Sequence, residues 1–171
     1  MNVYVDTVES PAGELALAVD GEGALIYLKF VEGNSNLTVE EELEDEGFEV
    51  SRDEARTAPA REELREYYAG ERREFGVPVS LVGSEWQKAV WRELTRIPYG
   101  ETRSYGEIAD RLDRPGAARA VGRANATNRL PVVVPCHRVI AADGSLGGFN
   151  GGLHLKEQLL EHERRVLGVG S

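Results

Sequence analysis

Apolar and polar residues alternate in three segments of the first thirty positions, and this pattern predicts three β-strands. The segments NVYVDTV, ELALAVD and ALIYLKF carry apolar side chains at every second position, which is the period of a strand with one buried face. Turns around residues 11–13 and 20–23 separate them, and both turns contain glycine. The strands predict a small antiparallel sheet.

The rest of the first half is less regular. The acidic stretch Glu40–Glu54 fits either a loop or a solvated helix, and Ala58–Gly70 has the spacing of a helix that ends at glycine. Phe75–Gly83 is predicted to be an extended connector. Residues 1–80 contain no cysteine, no histidine and no glycine-rich phosphate loop, so no site chemistry is predicted there.

A helical period governs the second half, residues 81–171. Ser84 with Gln87, and Ser104 with Glu107, each match a capping box, the pattern that opens a helix. A further helix is predicted over Ala117–Asn128. The turn DRPG joins the last two of these helices, and this arrangement predicts a helix-turn-helix, although many helical hairpins bind nothing.

The predicted second helix of that pair carries a ridge of small residues. Ala118, Gly122 and Ala126 lie four positions apart, and Arg119 and Arg123 flank them. Such a ridge permits close packing against a neighbouring helix. It equally permits close approach to a DNA groove, because the minor groove is only about 6 Å wide. Spacing leaves both interpretations open.

Two segments complete the predicted elements. The apolar run LPVVVP predicts a strand that ends at Pro135, immediately before Cys136. The segment GLHLKEQLLEHERR predicts a last helix with Leu153, Leu159 and Leu160 facing inward.

Charge is segregated between the two halves. The formal net charge of −10 argues against a polyanionic partner. Residues 1–80, however, hold 20 acidic and 7 basic residues, whereas residues 81–171 hold 10 acidic and 13 basic ones, 11 of them arginine. Arginine suits phosphate and base recognition, so the second half is the one able to bind nucleic acid.

The low lysine content has two explanations. The chain has three lysines against 30 acidic residues, which fits either adaptation to a very salty cytoplasm or an ordinary acidic protein. Thermal melts between about 0.1 and 3 M KCl test the first explanation, because a protein that gains no stability over that range is not salt-adapted.

Composition also indicates a compartment. No apolar run approaches 18 residues, and the N-terminus lacks the features of a signal peptide. The single cysteine cannot form an internal disulfide. We therefore expect a cytoplasmic protein without membrane contact.

The single cysteine, Cys136, is the main candidate for chemistry. A lone cysteine is most often a small buried apolar residue. Its position after an apolar run and beside His137 favours a nucleophile, because a histidine that accepts the thiol proton creates the reactive thiolate. Such a histidine needs an acid on its other nitrogen. The last helix offers three candidates, and spacing does not choose among them: Glu157, Glu161 and Glu163.

Five segments in one order resemble a known family. PCHRV, preceded by ARAVGRANATN and followed by GGFNGG and LLEHE, is similar to the O6-alkylguanine-DNA alkyltransferases, as is VWRELTRIPYGETRSYGEIA. The resemblance covers about residues 83–165. It implies a ribonuclease H-like α/β domain over residues 1–80 and a mostly α, winged helix-turn-helix alkyltransferase domain over residues 81–171. It also implies DNA repair: an alkyl group moves irreversibly from a guanine flipped out of double-stranded DNA to the protein's own cysteine.

The resemblance assigns roles to individual catalytic residues. Cys136 is implied to be the alkyl acceptor, His137 a base acting through a water, and Glu163 the acid that orients it. Asn128 is implied to hold the active-site turn. Tyr105 is implied to lie near the flipped base and to help protonate the leaving guanine.

The same resemblance assigns the DNA contacts and the guanine pocket. Arg119 is implied to replace the flipped base in the stack. The helix that carries it is implied to lie in the minor groove and to contribute these further DNA contacts: Ala118, Ala120, Gly122, Arg123 and Thr127. The guanine edge is implied to meet the backbone carbonyls of Cys136 and Val139.

The loop GGFNGG departs from the family pattern. Family members often carry tyrosine and serine where Phe149 and Asn150 stand. The pocket beside the guanine oxygen is therefore expected to differ, which affects the preferred alkyl size. His154 and His162 are interpreted as surface residues, and no metal, no cofactor and a monomer are expected.

Two other classes of protein remain open. A Cys-His hydrolase or acyltransferase uses the same nucleophile, but it turns over many times and need not bind DNA. A DNA-binding regulator uses the helix-turn-helix and leaves the thiol inert.

Overall fold

The three predicted strands open the chain. In the computed structural model, which describes residues 1–31, 38–146 and 153–168, they are β1 (Asn2–Ser10), β2 (Gly13–Asp20) and β3 (Leu25–Phe30). Both neighbouring pairs are antiparallel. A fourth strand, β4 (Glu49–Ser51), pairs in parallel with β1 and gives the order β3-β2-β1-β4. The sheet is therefore mixed and not wholly antiparallel, because the chain returns to the far edge of the sheet before it forms β4.

The acidic stretch forms two elements. Helix α1 (Val39–Asp45) begins at Thr38, whose hydroxyl accepts a hydrogen bond from the Glu41 amide at 3.1 Å. Leu43 on this helix is fully buried against Val3 and Val5 of the sheet. The remainder of the stretch forms β4. Neither of the two structures predicted for the stretch, a loop or a solvated helix, includes this strand. Val39 of the same helix packs against this cluster, so two apolar side chains dock an otherwise charged helix.

Helix α2 (Glu54–Tyr68) covers the other face of the sheet and begins four residues before the predicted start. Asp53 caps it by accepting hydrogen bonds from the amides of Ala55 and Arg56 at 3.1 and 3.3 Å. The helix starts earlier than the apolar spacing predicts because the aspartate cap stabilises its first turn. The buried face of α2 consists of Thr57, Ala60, Leu64 and Tyr67.

A separate unit, Val82–Ser171, follows the first unit, Met1–Leu81. Its helices α3 (Glu85–Leu94), α4 (Tyr105–Arg111) and α5 (Ala118–Ala126) occupy the predicted segments. Both predicted capping boxes are formed. Between α4 and α5 the chain reverses through Asp113 and Gly116, which have φ angles of 57° and 87°. Helices α4 and α5 thus form the predicted helix-turn-helix.

Two tryptophans of α3 fix the position of α5. The indole nitrogens of Trp86 and Trp91 donate to the carbonyls of Ala120 and Ala124, at 3.2 and 2.8 Å. Trp91 is buried with Val90 and Leu94, whereas Trp86 is partly exposed. Each indole thus adds a directional bond to the apolar packing.

The strand predicted for LPVVVP is wrong. Leu130–Val134 forms turns, and Val132 adopts the left-handed region with φ of 74°. The prolines at both ends, Pro131 and Pro135, lack the N–H that a strand ladder requires. A short 3₁₀ turn (Cys136–Arg138) comes next, followed by β6 (Val139–Ile140), which pairs in parallel with β5 (Arg103–Ser104).

Helix α6 (Leu153–Val166) ends the described fold, and Leu159 and Leu160 on it are buried as predicted. In the described part of the chain, no helix has the length and apolar character needed to cross a membrane.

Candidate active site and nucleic-acid interface

Asn128 holds together the turns that precede Cys136. Its side-chain nitrogen donates to the Val134 carbonyl at 2.8 Å, and its side-chain oxygen accepts from the Leu130 amide at 2.9 Å. The Val134 amide in turn donates to the Leu130 carbonyl at 2.8 Å. Asn128 is itself 1% exposed. Apolar residues that would otherwise favour a strand are thereby folded into a rigid loop that ends at the thiol.

Cys136 lies fully buried at the first position of the 3₁₀ turn. Burial raises the pKa of its thiol to about 11, although a hydrogen bond from Asn128 and the charge of Lys156 act in the opposite direction. The thiol is thus protonated at neutral pH and needs a base before it can attack.

His137 meets Glu163 of α6 at the bottom of the site. The His137 Nε2 and Glu163 Oε2 atoms are 2.6 Å apart, and both side chains are fully buried. Glu157 and Glu161 are exposed. Of the three acids proposed from the sequence, the fold therefore brings only Glu163 to the histidine.

Glu163 is also the centre of a buried network of charge. Arg138 donates to both carboxylate oxygens, from Nε and Nη2, each at 2.9 Å, and its Nη1 donates to the Ile97 carbonyl at 2.8 Å. The Gly100 amide donates to Glu163 Oε1 at 3.0 Å. Burial by itself raises the pKa of Glu163, but His137 and Arg138 more than offset it and hold that pKa below its usual range. Glu163 is therefore ionised.

The other nitrogen of His137 is available for chemistry. Burial lowers the pKa of His137, against the opposing effect of Glu163, so the ring is neutral at physiological pH. With the proton on Nε2 facing the carboxylate, Nδ1 is an acceptor. Nδ1 is buried and has no hydrogen-bond partner among the described residues. The ring is therefore oriented as a general base, and His137 directly follows Cys136 in the chain.

Lys156 of α6 adds a positive charge to the same region. It is fully buried, donates to the Val139 carbonyl, and lies 5.9 Å from the centre of the Tyr105 ring. Burial lowers the pKa of Lys156 to about 8, although the neighbouring Cys136 acts to raise it. A lysine here stabilises the thiolate over the thiol.

The outer face of α5 forms an open cleft. Its lining residues are Tyr105, Ala118, Arg119, Gly122, Arg123 and Ala126. Arg119 and Arg123 are exposed. Two residues grouped with these by resemblance lie elsewhere: the Ala120 carbonyl is bonded to Trp86, and the exposed Thr127 accepts a hydrogen bond from Gln87 at 3.1 Å.

The expected guanine-pocket residues are only partly described. Val139 is buried, and its carbonyl accepts from Lys156. Phe149 and Asn150 lie outside the described residues. No group of three or more His, Cys, Asp or Glu side chains in residues 1–31, 38–146 and 153–168 is arranged to hold a metal ion. His154 is exposed and His162 is partly buried.

Comparison with protein families matches both units. The model described as "6-O-methylguanine DNA methyltransferase, ribonuclease-like domain" matches residues 3–81, and the model of the DNA-binding domain of the same protein matches residues 85–165. This chain is 48% identical over 164 residues to the methylated-DNA–protein-cysteine methyltransferase of Mycolicibacterium paratuberculosis, covering 93% of this chain and 91% of that protein.

The chain belongs to the 6-O-methylguanine DNA methyltransferase family. The family predicted from the sequence is confirmed, and so is the predicted fold class. A second relative in the family, from Methanosarcina acetivorans, is 45% identical and covers 94% of this chain and 98% of its own length.

Solved structures in the family agree with the fold. The crystal structure of Mycobacterium tuberculosis OGT in complex with DNA is similar with a TM-score of 0.82 and 42% identity, covering 97% of this chain and 94% of that one. The M. tuberculosis O6-methylguanine methyltransferase structure also gives a TM-score of 0.82, with 43% identity and coverage of 95% and 93%.

Sequence reasoning missed the roles of Arg138 and Lys156 in this methyltransferase site. For Lys156, which lies on α6, the sequence contains a signal that could have identified it. Lys156 precedes the inward Leu159 and Leu160 by three and four positions, and Glu163 follows them by four and three. All four residues therefore share one helical face. A lysine and a glutamate on a buried face indicate a charged site, and the same spacing selects Glu163 over its exposed neighbours. For Arg138 no periodic signal exists, because it lies in an irregular turn.

Proposed function

We propose that this protein repairs DNA by transferring the alkyl group of O6-alkylguanine to Cys136. The relatives are named methylated-DNA–protein-cysteine methyltransferases, and a related solved structure is a complex with DNA. The observation that carries the proposal is the pairing of His137 with the ionised Glu163 at 2.6 Å. His137 directly follows the buried Cys136 in the chain. This arrangement supplies a base to a thiol that burial keeps protonated.

The chemical step is a displacement at the alkyl carbon. His137 Nδ1 takes the Cys136 proton through a bridging water, and Glu163 stabilises the resulting imidazolium. The thiolate forms a bond from sulfur to the alkyl carbon while the bond from that carbon to O6 breaks. The electron pair stays on guanine, which gains one proton as it leaves, and Tyr105 delivers that proton. Tyr105 then regains a proton through water from the imidazolium of His137, so both side chains return to their starting state. The net reaction breaks one S–H bond and one C–O bond and forms one S–C bond and one N–H bond.

The product explains a single turnover. The new bond is a thioether, and water does not hydrolyse a thioether. Each chain therefore reacts once, and one cysteine is sufficient. Lys156 assists while the sulfur is a thiolate, because a buried positive charge favours the ionised form.

The target base reaches Cys136 by leaving the duplex. A base edge inside the stack is inaccessible to a side chain, and extrusion costs a few kcal/mol. The α5 cleft supports this step, since the small residues Ala118 and Gly122 permit close approach to the minor groove, and the exposed Arg119 fills the gap in the stack. Arg123 contributes phosphate contacts. Ala120 lies on the same helix, and Thr127 lies at its C-terminal end.

The two units divide the work in this proposal. Residues 81–171 bind DNA and carry the PCHR active site, including the turn held by Asn128. Residues 1–80 form the ribonuclease-like domain. We also propose that the protein acts as a monomer, because every named site residue comes from one chain, and that it acts in a reducing compartment, because an oxidised thiol cannot attack carbon. Sedimentation with and without a duplex tests the monomer.

A labelled substrate tests the function. A duplex that carries O6-methylguanine with a radiolabelled methyl group is mixed with increasing amounts of protein. The expected result is label on the protein that saturates at one group per chain and is located by mass spectrometry on the peptide that contains Cys136.

The Cys136→Ala variant is the matched control, and it should bind the duplex without taking up label. DNA binding by the folded wild-type protein with no transfer of label contradicts the proposal and favours a DNA-binding regulator. Repeated turnover of a thioester substrate favours a hydrolase.

A further inference from the structure

The turn at residues 98–101, which follows α3, contacts the buried ion pair of the active site. The amide of Gly100 in this turn donates to Glu163 Oε1 at 3.0 Å. The ring of Tyr99 lies against the guanidinium of Arg138, with 5.4 Å between the Arg138 Cζ atom and the ring centre. The mechanism above gives this turn no role, although it contacts both members of the pair.

Two features of the structure require glycine at position 100. Its φ angle is 79°, in the left-handed region that glycine adopts without steric cost. A Cβ atom on Gly100 would overlap the Cδ1 atom of Leu167 and would lie 3.4 Å from its Cγ atom. Any larger residue must therefore displace either the Leu167 side chain or the turn that carries the amide.

Leu167 is in turn fixed by the glutamate that Gly100 contacts. The Leu167 amide donates to the backbone carbonyl of Glu163 at 3.1 Å, at the C-terminal end of α6. Glu163 thus holds Leu167 through its main chain and accepts from Gly100 through its side chain. Because Leu167 also packs against Gly100, the three residues form a closed set of contacts that fixes the amide relative to the carboxylate.

The Gly100 amide also affects how strongly Glu163 interacts with His137. The Oε1 atom accepts from Gly100 and from Arg138, whereas Oε2 faces His137 and accepts a second bond from Arg138. Donors to a carboxylate stabilise its negative charge, so losing one at Oε1 makes Oε2 a stronger acceptor and favours the imidazolium. Arg138 and Lys156 are the other charged groups that act on His137, and a substitution at Gly100 changes neither.

We propose that Gly100 is a positioning residue for the alkyl transfer, whose amide orients the Glu163 carboxylate and limits how strongly it stabilises protonated His137. This inference rests on the proposed function. Leu167 keeps the amide in place by filling the space next to the glycine. The role depends on a backbone donor and on a missing Cβ atom, so no side chain of the turn has to take part in the chemistry.

The pH dependence of the transfer rate tests this role. Single-turnover transfer from a saturating duplex with O6-methylguanine is measured between about pH 5 and pH 9 for wild type and for Gly100→Ala. Transfer needs neutral His137, so the rate falls on the acidic side. In the variant this acidic limb should move to higher pH by about half a unit, which is about threefold slower transfer at a given pH on the limb. The plateau at higher pH should stay within about twofold of wild type.

Two further proteins separate this role from a general loss of stability. In Gly100→Ala/Leu167→Ala the shortened side chain makes room for the new Cβ atom, so the acidic limb should return towards its wild-type position. Gly23 in the N-terminal unit has a similar φ of 83°, and a Cβ atom there meets nothing within 4 Å. Gly23→Ala therefore adds comparable backbone strain and should leave the profile unchanged. Thermal melting at each pH checks folding, and Gly100→Asn replaces the alanine variant if that protein does not fold, because asparagine adopts the left-handed region more readily.

The outcomes are distinct. An acidic limb that stays in place, or moves to lower pH, in a folded Gly100 variant overturns the positioning role, even if the melting temperature falls. A shift to higher pH that Leu167→Ala reverses supports it. Failure of the proposed function looks different, because wild type then transfers no methyl group at any pH.

Discussion

In the N-terminal unit ion pairs such as Arg65–Glu62 lie on the surface, whereas in the C-terminal unit Arg138 and Glu163 are buried. The buried polar residues of the described chain follow the same division: Thr57 in the first unit, and Glu93, Asn125, Asn128, His137, Arg138, Lys156 and Glu163 in the second. The first unit is nevertheless the more highly charged.

The difference separates charge that keeps a protein hydrated from charge that does chemistry. Exposed pairs contribute little to stability, because water screens them. Buried charges lose their hydration, and a fully apolar replacement is often no less stable. Six of the seven buried polar residues of the C-terminal unit, all except Glu93, surround the thiol or its histidine and therefore indicate a site whose arrangement serves reactivity. Among the described residues of the acidic N-terminal unit, Thr57 is the one buried polar side chain, so the charge of that unit lies where water screens it.

The largest predicted effect comes from removing the centre of the buried network. Glu163→Gln should lower the free energy of unfolding by about 3–5 kcal/mol, because it leaves Arg138 buried without its carboxylate. It should also slow alkyl transfer at least a hundredfold, on the order expected for loss of a general base. Urea denaturation and single-turnover kinetics measure the two effects.

Glu62→Gln is the matched control on the surface. Glu62 pairs with Arg65, and this pairing lowers the pKa of Glu62. Its replacement should leave the denaturation midpoint and the transfer rate unchanged. Similar small effects of the two substitutions would remove the distinction between the units.

The second-largest predicted effect is the pH dependence of stability that arises from the shifted pKa values of Lys156 and Cys136. The pKa of Lys156 is lowered to about 8, so the unfolded chain binds more protons between pH 8 and 10 and stability rises with pH. The pKa of Cys136 is raised from 9.0 to about 11, so the folded chain binds more protons between about pH 9 and 11 and stability falls there. The two contributions, each on the order of 2 kcal/mol, have opposite signs and should largely offset each other in wild type above about pH 9.

Single substitutions should reveal each contribution. Relative to wild type, Cys136→Ala should become more stable from pH 8 to pH 10, because only the lysine contribution remains. Lys156→Met should become less stable over the same interval. Denaturation midpoints at several pH values provide the measurement, and parallel curves for all three proteins would show that the two groups do not titrate as described.

A smaller effect is expected on the DNA-facing helix. Arg119→Ala should slow transfer from a duplex at least tenfold and leave transfer from the free base O6-methylguanine nearly unchanged, because the free base needs no replacement in the stack. Arg65→Ala removes another exposed arginine, in the N-terminal unit, and should change neither rate. Equal slowing of both reactions by Arg119→Ala would refute its role in base flipping.

The smallest effect is expected at Thr57, the buried polar residue of the N-terminal unit. Its hydroxyl donates to Asp6 at 2.8 Å, so Thr57→Val should cost about 1 kcal/mol of stability. Alkyl transfer at saturating DNA should be unchanged. A marked loss of transfer by a folded variant would show that the N-terminal unit takes part in the reaction.

Elements whose signals are local were predictable. The capping boxes at Ser84 and Ser104 place two helix starts correctly, because a cap depends on residues three positions apart. The strands β1 to β3 follow from alternation. The run LPVVVP was misassigned because its conformation depends on Asn128 and on two prolines, and these override the apolar pattern.

The sequence by itself determined the family, the nucleophile with its neighbouring histidine, and the segregation of charge, because each is written in the order of residues along the chain. Only the tertiary structure decided which acid faces His137, that Arg138 and Lys156 enter the site, and that Asn125 is buried beside the Cys136 carbonyl. These properties depend on which atoms lose contact with water, and burial is decided by packing between segments that are far apart in the chain.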